Sequence, residues 1–164
     1  MGQIGSTSIV RNVPTVDTAI YAAGDVIAKF DIAPIDGLTG GAILKQISVF
    51  DDSGQADTFS VLFFDGTLAG TYTLNGAPAP SADDKAKFLG AVTFAAGDWK
   101  TAGGDSYGSK ECALAVKHTP ATAGNQGAQN AAGSLTVVVL AGGTPTYATA
   151  AALKFAFGFL PDGA

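Results

Sequence analysis

Apolar and polar residues alternate with a period of two along most of this chain, which is the signature of half-buried strands. The pattern is most developed between Ile43 and Phe64. Ile43, Ile47 and Val49 fall on one face of a strand Ile43–Phe50, with Leu44, Lys45, Gln46 and Ser48 on the other. Phe59, Val61 and Phe63 fall on one face of a second strand, Phe59–Phe64, with Leu62 and Phe64 opposite. The two strands read as a central hairpin joined by the polar segment Asp51–Thr58. A hairpin this apolar needs a second sheet or a partner chain to cover it.

The same period predicts the flanking elements. Ala19–Tyr21 reads as a short strand. Val26–Ile32 is a longer one, with Val26, Ala28, Phe30 and Ile32 on one face. Pro34–Gly41 is a loop. Asp65–Pro80 is a turn-rich connection in which Tyr72 and Leu74 make one brief strand and Asn75–Gly76 signals a turn at positive φ. Ser81–Leu89 is the one helix. Ser81 occupies the N-cap, Asp84 answers the free amides three residues on, and Gly90 supplies a left-handed stop.

Ala91–Ala95 is then a strand, and Gly97–Ser109 a Gly/Asp/Ser loop carrying Trp99 and Tyr107. Lys110–His118 is a strand with Cys112, Leu114 and Val116 inward. Thr119–Gly133 is a low-complexity loop. Ser134–Ala141 turns Leu135, Val137 and Val139 to one face, and Leu153–Leu160 does the same with Leu153, Phe155, Phe157 and Phe159. These elements predict an all-β fold: a two-sheet antiparallel β-sandwich, jelly-roll-like, of about eight strands with one short helix near residues 81–89. Residues 1–16 form an N-terminal arm, ordered on a partner, and residues 17–164 a single sandwich domain.

Composition agrees. The 164 residues include 22 Gly and 7 Pro, suited to many strands and turns. Among 14 acidic residues Glu111 is the lone glutamate, and Asp prefers turns to helix interiors. Only 14% of the chain is charged while 47% is apolar, which has two readings: an exterior partly covered by other subunits, or a score inflated by Ala and Gly. The net charge of −5 and nine scattered basic residues argue against direct nucleic-acid binding. Cys112 is the single cysteine, so no intrachain disulfide forms. The segment after Met1 has no apolar signal core, and Leu135–Ala141 and Phe155–Leu160 are too short to span a bilayer as helices. The expectation is synthesis in a reducing cytoplasm, with neither classical export nor membrane insertion.

The search for chemistry finds little. His118 is the only histidine, and no Gly-x-Ser-x-Gly elbow accompanies it. Cys112 lies among apolar neighbours, as a packing residue would. Asp51, Asp52 and Asp57 crowd one loop and could take Ca²⁺, but their spacing is not that of an EF-hand, and a solvated turn is the simpler account. No phosphate-binding glycine motif is present, and no catalytic residue, cofactor or metal is expected. Trp99, Tyr107, Tyr21, Tyr72 and Tyr147 could form a sugar-binding platform, the basis of an alternative reading as a carbohydrate-binding module.

Four stretches carry a resemblance: Tyr21-Ala22-Ala23-Gly24-Asp25-Val26-Ile27; Leu62-Phe63-Phe64-Asp65; Ala82-Asp83-Asp84 through Lys87, Leu89-Gly90 and Val92; and Gly143-Thr144-Pro145-Thr146-Tyr147. In this order and spacing the chain resembles small structural proteins of tailed bacteriophage virions, over roughly Ala19 to Leu160. The resemblance implies a non-enzymatic capsid decoration or cement protein on the outside of the head, with a tail or other virion component as the alternative. It implies as partners the major capsid protein or another virion protein, and self-association, for example as a trimer. Low charge and small side chains suit a protein held by many modest contacts on a lattice. The residues expected to make contact are Ile4, Ile9, Val10 and Arg11 of the arm, with Trp99 and Tyr107.

Overall fold

The computed structural model describes residues 8–32, 42–116 and 135–161. Nine strands lie within them: β1 (Ser8–Asn12), β2 (Val26–Ile32), β3 (Ala42–Asp51), β4 (Phe59–Asp65), β5 (Phe88–Phe94), β6 (Trp99–Ala102), β7 (Asp105–Val116), β8 (Leu135–Ala141) and β9 (Leu153–Pro161), with one helix, α1 (Ala82–Ala86). They form a five-stranded sheet, β1-β9-β3-β7-β6, and a four-stranded sheet, β2-β8-β4-β5. Every strand pairing is antiparallel. The pairs β1–β9, β2–β8, β3–β7 and β4–β5 nest one inside the next, and β3–β9 and β4–β8 close the rolled ribbon. That is the jelly-roll form of the expected β-sandwich, with β6 added at one edge.

The inner faces of the two sheets meet in an aromatic core. Leu153, Phe155, Phe157 and Phe159 of β9 are all buried, as their period of two requires. Phe155 and Phe157 stack at 5.9 Å, and Phe63 of β4 meets Phe157 edge-on at 6.1 Å. Each such ring removes enough apolar surface to contribute about 1.5–3 kcal/mol. Side chains of the described residues pack the space between the sheets.

The predicted central hairpin is corrected. β3 and β4 lie in different sheets, and residues 52–58 cross between them. Both strands are central in their own sheets: β3 is flanked by β7 and β9, and β4 by β5 and β8. Being flanked on both edges, with apolar side chains on both faces, is what their sequences required; pairing to each other was not. Phase also slips at two bulges. In β3 the register shifts between Leu44 and Gln46, so Leu44 turns inward and Ile43 outward, the reverse of a strict alternation. In β2 a shift between Val26 and Ala28 sends Val26 to the outer side while Ile27 and Ala28 join the core.

Other boundaries move. Ala19–Tyr21 is not a strand; Tyr21 instead buries its ring against Tyr147. The helix ends at Ala86, and Gly90 lies within β5 rather than at a helix stop. Gly97–Ser109 is not a loop: β6 and β7 form a tight hairpin there. Its two central residues, Gly103 and Gly104, both take positive φ, as a type I′ turn requires. Within the expected arm, Ser8–Asn12 is strand β1, paired along β9. Ile4, His118 and Thr119–Gly133 lie outside the described residues.

The outer side of the four-stranded sheet is roofed. Leu68, Tyr72 and Leu74 of the 66–87 excursion cover Val26, Phe64 and Val138 in a second apolar cluster. Asp84 pins this roof: its carboxylate accepts the amides of Ala69 (2.7 Å), Gly70 (2.8 Å) and Ser81 (3.0 Å) and the Tyr72 hydroxyl (3.2 Å).

Candidate functional site

Alternation along β1, β9, β3 and β7 sends every second side chain to the outside of the five-stranded sheet. Register places these in rows. One row runs Ile9, Gly158, Gln46, Glu111; the next runs Arg11, Ala156, Ser48, Ser109. A third holds Lys154, Phe50 and Tyr107. Small side chains dominate the middle. Ser109 accepts a hydrogen bond from Gln46 Nε2 at 2.6 Å, and Ser48 Oγ lies 3.4 Å from its hydroxyl, which holds the polar groups flat against the sheet. Lys154 is folded back onto Asp52 at 2.6 Å and lies 5.3 Å from the Phe50 ring. The result is a broad surface that no other described segment crosses.

The predicted contact residues divide. Ile9, Arg11 and Tyr107 share this outer face and are exposed, Ile9 by 55% and Tyr107 by 43%. Val10 does not join them; it points inward and packs on the core. Trp99 is corrected outright. It is buried between Phe59 (5.5 Å) and Phe94 (6.0 Å), and its Nε1 donates to the Asp57 carbonyl at 3.0 Å. Tyr21 and Tyr147 are buried as well, so the sugar-binding platform built on these rings does not exist.

The three aspartates at the β3–β4 crossover go separate ways. Asp51 turns inward and accepts the amides of Ser53 and Gln55. Burial raises its pKa more than those hydrogen bonds lower it. Asp52 pairs with Lys154, and Asp57 lies against Gly143. Among the described residues no three His, Cys, Asp or Glu side chains gather as a metal would require. Cys112 faces inward, its Sγ 3.5 Å from the Leu44 carbonyl; burial raises the thiol pKa, with Lys45 opposing. No described helix is long and apolar enough to cross a membrane.

Sequence reasoning missed Glu111 as a surface group, along with exposed Val13, Ile20 and Phe88. The alternation Tyr107, Ser109, Glu111 was there to be read once 105–116 was seen as one strand.

No family model matches this chain, and no curated protein does. Among solved structures, a chain in "Structure of infectious bursal disease virus Gx strain" aligns at 14% identity and a TM-score of 0.22. The alignment covers 94% of this chain and 39% of that one, so this chain spans about two fifths of its length. A likeness this faint carries no argument.

Proposed function

We propose that this chain is a non-enzymatic structural protein of a tailed-phage virion, a decoration protein seated on the outside of the head and contacting the major capsid protein. The observation that carries the reading is the broad outer face of the five-stranded sheet, bare of any described segment. A monomer has no use for such a surface; a lattice component does. The four stretches that resemble phage structural proteins support it as framework. Tyr21 and Tyr147, from two of them, meet edge-on at 5.8 Å, and Asp84, from a third, builds the helix cap.

Mass spectrometry of purified particles tests the proposal. The expected result is this chain in fixed ratio to the shell protein, with cryo-EM density outside the head. Density on the tail would favour the alternative virion role, and particles lacking the chain would end the proposal.

A further inference from the structure

The two broad surfaces of the sandwich are finished differently. The four-stranded sheet carries its own apolar roof, whereas the five-stranded sheet does not. On that bare face stand the chain's one arginine and one glutamate. Arg11 is on β1 and Glu111 on β7, the first and fourth strands of the sheet. Both are exposed, and among the described residues neither belongs to an ion pair. Three strand spacings, ~14 Å, separate them across the sheet, and they occupy adjacent rows ~7 Å apart along it. Between them stand Ala156 and Ser48 in one row and Gly158 and Gln46 in the other, with Lys45 exposed at the β3 bulge beside Gln46.

We propose that a second copy of this chain docks on this face, related by a two-fold axis, with Arg11 of each copy against Glu111 of the other. An axis parallel to the strands, between β9 and β3, lays β1 of one copy over β7 of its partner. Stacked sheets lie ~10 Å apart, so two long side chains one row apart reach each other from opposite sides. The same operation makes the contact twice, which is the economy of an isologous interface. The small central residues allow the sheets to close, and Ile9 adds apolar area beside the charge pair.

The area is that of a weak contact. The strands of this sheet contribute 5, 9, 10, 12 and 4 residues. Under this axis β1 covers five residues of the partner's β7 and β9 covers nine of its β3, each twice, which at 3.3 Å by 4.8 Å per strand residue is roughly 450 Å². A standard interface buries about 800 Å² per partner, so the pair belongs to the modest, reversible class. The pairing rests on the same bare face that carries the virion reading and gives that face to self-association, so a head would meet the dimer's other surfaces; a chain that failed to bind heads would still form the dimer, and the two tests fail separately.

Sedimentation velocity of the full chain, from ~1 to ~200 μM, tests it. The expected species is twice the 16.3 kDa chain mass, weakening as salt rises. Arg11→Glu alone and Glu111→Arg alone each weaken the dimer by roughly tenfold or more, because each leaves two like-charge contacts. The double reversal, Arg11→Glu with Glu111→Arg, restores it to within about threefold of the native chain. Far-UV circular dichroism and thermal melts on each variant confirm that the fold is kept. A native chain that stays monomeric throughout, a trimer, or single reversals that leave the dimer unchanged would each overturn the proposal. So would a double reversal that fails to restore a dimer lost in the singles.

Discussion

Asp84 offers the sharpest test of how the roof over the four-stranded sheet is held. The residue has no exposed surface. Burial works against its ionised form, but hydrogen bonds from Ala69, Ser81, Gly70 and Tyr72 together outweigh this and lower its pKa from 3.8 to about 2. That lowering corresponds to at most about 2 kcal/mol of folding stability. The site lies in a peripheral segment rather than between the sheets, so screening trims this to about 1–2 kcal/mol. Asp84→Asn removes the charge and turns an amide N–H toward at least one backbone donor, which adds about 1 kcal/mol.

The expected loss at neutral pH is therefore about 2–3 kcal/mol, or roughly 4–12 °C in Tm for a chain of this size. The sign of the pH dependence follows from the lowered pKa. The contribution of Asp84 is fully present above the unfolded value of 3.8 and disappears as pH falls toward 2. Urea titrations of native and variant chains between pH 2 and 7 should show a gap that is constant above about pH 5 and shrinks as pH falls toward 2, approaching the ~1 kcal/mol of the amide mismatch. Asp51, whose pKa is raised by burial, contributes the opposite slope in both chains and cancels in the difference. Asp83→Asn is the control. Its side chain is 64% exposed and pairs only with Lys87, so a change within about 0.5 kcal/mol is expected. Equal midpoints for Asp84→Asn and the native chain at neutral pH, or a gap as large at pH 2 as at pH 7, would refute the account.

Trp99→Ala should cost about 3–5 kcal/mol through the cavity beside Phe59 and Phe94, read by chemical denaturation. Because Trp99 is the single tryptophan, intrinsic fluorescence of the native chain should be blue-shifted and should move red on unfolding. Tyr107→Ala, on the exposed face, should leave folding stability within about 0.5 kcal/mol, measured the same way. Gly54→Ala should destabilise by more than about 1 kcal/mol: φ is +63° there, and a methyl would meet the Gly104 carbonyl oxygen, which thermal melting would detect. Cys112 should react slowly with a thiol reagent at pH 7 in the folded chain and quickly in urea, since burial raises its pKa and shields it.

The sequence by itself determined the class of fold and the strand-borne part of the core. A period of two is a property of the extended backbone, so Phe59, Val61 and Phe63, or the aromatic stripe of β9, face one way whatever they pack against. The Ser81–Asp84 capping box was equally legible, because its geometry is closed within four residues. Only the tertiary structure decided which strands pair. Hydrogen-bonded partners such as Ser8 and Phe159 are joined by free energies that depend on the whole sandwich, and no local pattern encodes them. The two bulges had the same origin: a one-residue slip that turns Leu44 inward and Ile43 outward is set by β9 and β7, not by β3. That is why Trp99, placed by sequence on an open loop, ended in the core. It is also why Arg11 and Glu111, a hundred residues apart in the chain, came to share one face.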